Sequence, residues 1–184
     1  MPKKYEVITT PMKGTVYDIS IWDDIEEYED YDKLLETFRK ITLKDHVNLY
    51  VPTPGGRCDI GFMLIDYIQN LECKVDVVVP YPTYSMGAIM SLSGDSLEIK
   101  PGGFLMFHDY SSGIARSKGN EIFKQTESYI ETFTYKFNKI CQPFLTKKEC
   151  EDILNGKDLY IKWNDPMLET RIKRHFSKKG DKNE

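Results

Sequence analysis

The sequence has 184 residues, 40% apolar and 29% charged, with a formal net charge of −4, which suits one globular domain with a sizeable core and excludes a disordered chain. The negative balance gives no global attraction for nucleic acid or an anionic membrane, and no apolar run approaches the ~18–20 residues of a membrane span. The opening MPKKYEVITT lacks the apolar stretch of a secretory signal, and Cys58, Cys73, Cys141 and Cys150 form no C-x-x-C pair, so free thiols in a reducing cytoplasm are expected and no metal or other cofactor.

Residues 1–14 read as a short N-terminal segment ahead of the domain. Thr15–Trp22 (TVYDISIW) alternates apolar and β-branched residues as a strand does. The acidic run from Asp23 to Asp32 suits a solvated turn at a helix start, and Leu34, Leu35, Phe38 and Ile41 follow at helical spacing. Val47–Val51 is a compact strand running into Thr53-Pro54-Gly55-Gly56. Asp59 is placed to cap a helix with Phe62, Ile65 and Ile68 on its apolar stripe. Val75–Val79 is nearly all valine, the pattern of a strand buried on both faces.

After a Pro-Tyr-Pro break, Ser85–Leu92 is small and apolar all round, as in a short buried helix. Brief strands follow at Leu97–Ile99 and Phe104–Phe107, then one long helical pattern from Glu121 to Ile140. Pro143 ends it, an amphipathic helix spans about 147–154, and the charged segment from Glu169 to Glu184 is expected to fray. Strands alternating with helices predict an α/β domain of βαβ units over 15–168. Functional groups in such sheets gather at the carboxyl ends of strands, and Gly55-Gly56, Ser85 and His108 all stand at or just past such ends.

A serine is a poor nucleophile unless a base takes its proton and donors stabilise the oxyanion. Ser85 precedes a helix, so taken alone it reads as an N-cap; Gly87 and Ala88 after it allow tight packing, and the Met86 N–H would point towards an oxyanion. Gly55-Gly56 permits backbone conformations closed to other residues, exposing bare N–H groups to a substrate peptide, although a plain tight turn has the same sequence. Of the three histidines, His46 lies among charges and His175 in the basic tail, both expected to be solvated, whereas His108 ends an apolar strand. A triad needs a carboxylate to orient the imidazole. Asp109 adjoins His108, but strand neighbours point to opposite faces. Asp152 and Asp165 read as surface or capping groups, and Asp158 precedes an apolar triplet.

Together these pieces resemble the ClpP peptidase family. Leu49–Gly56 is similar to its strand and S-P-G-G turn, Tyr84-Ser85-Met86-Gly87-Ala88 to its A-S-M-G-A nucleophile motif, and Leu105-Met106-Phe107-His108-Asp109 to its V-M-I-H-Q strand. Lys157–Ile161 resembles the D-R-F-L segment that holds the triad aspartate. The order Ser, His, Asp is the family's, and the similarity covers roughly residues 43–161.

The resemblance implies a ClpP/crotonase-like spiral of βαβ units with a long handle helix over about 120–141. It assigns Ser85, His108 and Asp158 to the triad and the Gly56 and Met86 N–H groups to the oxyanion hole, with Gly55 and Gly56 binding an extended peptide or protein substrate. It also implies stacked homo-oligomeric rings. Ile122, Tyr129, Phe133, Phe137 and Ile140 form one apolar stripe, while Phe123, Ile130 and Tyr135 lie on other sides of the same helix, an excess that burial against a second ring explains.

The chain departs from the pattern in carrying Thr53 for Ser and the bulkier Thr83-Tyr84, which narrows the substrate region. A AAA+ unfoldase is the family's usual partner; against it, if Thr15–Trp22 is the core strand, little chain precedes it for an axial docking loop. The compact layout is similar to the head-maturation proteases of phages, which would place it in a host cytoplasm. Two other readings stay open: a non-catalytic ring or scaffold subunit, which intact Ser85 and His108 argue against, and a crotonase-type acyl-CoA enzyme, for which the chain lacks a basic cluster for the CoA phosphates.

Overall fold

Valine- and isoleucine-rich segments pair side by side to form the larger of two sheets in the computed structural model, which describes residues 4–11, 14–111 and 118–177. In chain order the strands are β1 (Tyr5–Pro11), β2 (Thr15–Ile21), β3 (His46–Tyr50), β4 (Lys74–Val79), β5 (Pro82–Tyr84), β6 (Ser96–Ile99), β7 (Phe104–Phe107) and β8 (Leu159–Lys162). The larger sheet runs β1-β2-β3-β4-β6, parallel except for β1; the smaller runs β5-β7-β8, with β5 and β7 parallel and β8 antiparallel. Successive units thus give one strand to each sheet, β4 then β5 and β6 then β7, the spiral of an α/β fold that the family resemblance implies.

Side chains alternate across each strand. Ile19, Ile21, Val47, Leu49, Val75, Val77 and Val79 turn inward and are buried. They meet Leu34, Leu35 and Phe38 of α1 (Asp32–Phe38) and Leu64, Ile65 and Ile68 of α2 (Cys58–Gln69) in one core. The valine run of β4 was expected to be buried on both faces; instead Asp76 and Val78 are half-buried. On that second face a polar row crosses four strands. Asn48 Nδ2 donates to Asp18 Oδ1 at 2.8 Å, Ser96 Oγ donates to Asp76 Oδ1 at 2.5 Å, and His46 Nε2 lies 3.0 Å from Asp76 Oδ2. His46 is therefore a paired, half-buried group rather than a solvated one.

Two further expectations change. The segment before residue 15 contributes β1, an edge strand paired with β2 from Tyr5↔Ile21 to Pro11↔Thr15. The charged segment from Glu169 does not fray as far as it is described: it forms α6 (Leu168–Phe176). Leu168, Ile172 and Phe176, spaced four apart, pack on the core. His175, expected in solvent, is buried, and its Nε2–H donates to the Leu92 carbonyl at 2.8 Å. Arg174 Nε donates to the Pro143 carbonyl at 2.8 Å, satisfying the chain just beyond α4 (Gly119–Cys141). Residues 178–184 lie outside the described residues.

Arg171 also clamps Glu149 of α5 (Lys147–Leu154), with Nη contacts of 2.6 and 2.9 Å. That guanidinium, aided by the Thr146 cap, holds the Glu149 carboxyl down at about 2. A depressed carboxyl stabilises the fold above its unfolded pKa of 4.5, and the stabilisation is lost as pH falls through about 2. Glu149→Gln is therefore expected to lower stability at pH 7 by about 2 kcal/mol, and the gap from wild type to shrink in denaturant melts at pH 2.5. An equal gap at both pH values would contradict this origin.

Candidate active site

Ser85 joins β5 to α3 (Met86–Met90) with φ 54° and ψ −122°, the only positive φ among described non-glycine residues. A non-glycine residue there carries on the order of 1–3 kcal/mol of strain, so the surroundings must impose it. Its N–H donates to the Met106 carbonyl at 2.8 Å, extending the β5–β7 pairing by one residue. Ser85 occupies the cap position of α3 but makes no side-chain cap bond, so it is not the N-cap that its sequence position alone suggested. A sharp, strained turn from strand to helix presents a serine hydroxyl to a cleft, the geometry of a nucleophile elbow.

Glycines let the chain close around this turn. A Cβ on Gly55 (φ 99°) would lie 2.8 Å from Ser85 Cβ and 3.0 Å from Met86 N, so the Gly55-Gly56 loop presses directly against the serine. A Cβ on Gly87 would lie 2.5 Å from Thr53 Cγ2. Thr53, which stands in place of the family's serine, is fully buried: its hydroxyl accepts the Gly55 N–H at 3.1 Å and donates to the Asp23 carbonyl at 2.7 Å. Thr83 is also fully buried, with its hydroxyl donating to the Val51 carbonyl at 2.6 Å. It faces the interior, while the Tyr84 ring packs edge-on against Phe104.

Gly56 is held from one side only. Ile25 N–H donates to the Gly55 carbonyl and Arg57 N–H to the Ile25 carbonyl, both at 2.7 Å. Peptide groups alternate along an extended chain, so the N–H and carbonyl of Gly56 face away from Ile25. Neither the Gly56 nor the Met86 N–H donates to another described residue. Two free donors beside one strained serine are what an oxyanion needs. Sequence reading missed Ile25, which is fully buried within the acidic run; its signal is a lone aliphatic residue among carboxylates.

His108 follows β7, the neighbour of β5, and is half-buried. Asp158 precedes β8, whose Leu159 pairs with Phe107; one more step of that register sets Asp158 opposite His108. Asp158 is exposed. The fold thus brings the three strand ends together, yet among the described residues no hydrogen bond links Ser85 to His108 or His108 to Asp158. The other carboxylates are engaged elsewhere: Asp109 accepts the Tyr110 N–H at 2.9 Å, Asp152 pairs with Lys157 at 3.0 Å, and Asp165 accepts the Met167 N–H at 2.7 Å.

Between α2 and α4 opens a groove of about 670 Å³, lined by Phe62, Tyr129 and Phe133 together with Cys58, Asp59 and Lys136. Tyr110, two residues past His108, packs its ring on Tyr129 and Phe133 with centroids 5.0 and 4.9 Å apart. Burial pushes the Cys58 thiol up, with a Tyr129 hydrogen bond opposing it. Cys73, Cys141 and Cys150 are buried. Among the described residues no cluster of three or more His, Cys, Asp or Glu could hold a metal, and no helix is long and apolar enough to cross a membrane. The chain matches the family model described as Clp protease over residues 24–159, well over half its length.

Proposed function

Because the chain belongs to the Clp protease family, we propose that it is a serine endopeptidase subunit acting on unfolded or extended polypeptides. The observation that carries this reading is Ser85, strained at φ 54° between the Gly55-Gly56 loop and β7. In the proposed reaction Ser85 Oγ attacks the scissile carbonyl as His108 takes its proton. The tetrahedral oxyanion accepts hydrogen bonds from Gly56 and Met86 N–H, and His108 then protonates the leaving amine. Water, deprotonated by His108, hydrolyses the acyl-enzyme and restores Ser85. Asp158 holds the imidazole in the required tautomer, and no cofactor enters. The substrate adds as a strand along the outward edge of Gly56, with a side chain in the groove over Phe62 and Phe133.

Ring assembly is part of the proposal. On α4, Phe133, Phe137 and Ile140 are buried, but Phe123 is 78% and Tyr135 63% exposed, with Ile130 also open to solvent. A second ring would cover this apolar excess, and docking there would draw the neighbouring strand ends into hydrogen-bonding register.

Acyl-enzyme chemistry predicts burst kinetics with an activated ester, one equivalent of product preceding steady turnover; a linear progress curve in an active preparation counts against it. Asp158→Asn is expected to lower kcat by roughly 10–100-fold, less than for a buried triad carboxylate because Asp158 is exposed. An unchanged kcat would remove Asp158 from the mechanism.

A further inference from the structure

We infer that Arg57 is the positioning residue that fixes the Gly56 N–H for the oxyanion, an inference that rests on the serine-peptidase reading. Gly55 and Gly56 are consecutive residues at positive φ, 99° and 139°. Lacking side chains, they can rotate the intervening peptide at little steric cost. On the N-terminal side the Thr53 hydroxyl pins the Gly55 N–H. On the C-terminal side that task falls to Arg57.

Its backbone N–H closes the bridge to Ile25 at 2.7 Å. Its guanidinium forks onto Asp59, with Nε to Oδ1 at 3.1 Å and Nη2 to Oδ2 at 2.7 Å, while Nη1 reaches Glu27 Oε2 at 3.0 Å. Glu27 lies two residues past Ile25 and Asp59 in the first turn of α2. One planar group therefore ties together both segments that flank Gly56. A fork of this kind constrains angles as well as distance, which a lysine's point charge does not. With two carboxylates engaged, the guanidinium serves as a clamp and is not open to bind a substrate anion. The Asp59 hydrogen bonds and charge hold the Arg57 pKa above its ordinary value, and Asp59 is correspondingly lowered by Arg57.

The clamp is half exposed, at 48% for the Arg57 side chain, so it adds little to global stability. Its effect is local: displacing an oxyanion donor lowers the chemical step. Arg57→Met is expected to reduce kcat and the second-order rate constant for fluorophosphonate labelling by roughly 10-fold or more. Labelling stoichiometry and melting temperature should stay near wild type. Arg57→Lys should recover only part of the loss. Glu27→Gln cuts the link to the Ile25 segment alone and reports the same effect should Arg57→Met fold poorly. Wild-type rate constants in both Arg57→Met and Glu27→Gln, with the wild-type protein labelling normally, overturn the inference. A wild-type protein that fails to label at all instead overturns the serine-peptidase reading on which it stands.

Discussion

Ser85→Ala is expected to lower peptide turnover on the order of 10^4-fold or more, leaving only what donors and binding supply without a nucleophile. The size of the loss follows from the role proposed for the hydroxyl, which makes the covalent bond and makes no cap hydrogen bond to the helix. Removing it therefore costs the fold little. At φ 54° alanine bears the same backbone strain as serine, so the melting temperature should shift by no more than a degree or two. Turnover within 10-fold of wild type by purified Ser85→Ala would end the assignment, whereas a large fall in melting temperature would mean the hydroxyl has a structural task not seen among its contacts.

Gly56→Ala is expected to have the next largest effect. The new Cβ would lie 2.2 Å from the Ile25 carbonyl oxygen and 2.7 Å from the Ile25 nitrogen, both backbone atoms. A φ of 139° adds strain that no rotamer relieves. The Ile25–Gly56 bridge must open, and with it the aim of the Gly56 N–H. Loss of one oxyanion donor costs about 10²–10³-fold in kcat, and strain should cost about 1–3 kcal/mol of stability. Gly102→Ala is the control: its φ is also positive, at 92°, but nothing lies within 4 Å of the added carbon. It should show a small loss of stability and unchanged kcat. If both variants keep full activity, Gly56 does not supply the donor.

These contrasts show what was legible in the sequence. Short, local signals carried over well: the Pro54-Gly55-Gly56 turn, the Ser85–Ala88 segment, the Phe104–His108 strand and the long α4 pattern all sit where they were expected, with strand ends shifted by about a residue. What could not be read depends on partners distant in the chain. Ser85 is packed closely against Gly55, thirty positions earlier, and local sequence shows only a preferred cap residue. The Arg57 clamp needs Glu27 from the far side of α1 and β3. Asp59, read as a cap, is instead the forked partner of Arg57, and the cap position itself belongs to Arg57.

Charge also misled where it hid periodicity. Between Leu168 and Phe176, five of the seven intervening residues are charged or histidine in a helix whose apolar residues recur every fourth position, so average polarity suggested fraying while spacing specified packing. Likewise the acidic run from Asp23 to Asp32 concealed Ile25, the residue that holds Gly56. Among the described residues, the second face of the larger sheet is half-buried and α4 exposes Phe123 and Tyr135.

The central claim is that Ser85 is an activated nucleophile served by the Gly56 and Met86 N–H donors. A fluorophosphonate reads this directly: Ser85 Oγ would attack phosphorus, fluoride would leave, and the hydroxyl proton would pass to His108. Mass spectrometry of the purified, full-length chain after labelling should show one adduct, mapped to the peptide containing Ser85 and absent from Ser85→Ala. No adduct on the wild-type protein, or an adduct that persists in Ser85→Ala, would contradict the account.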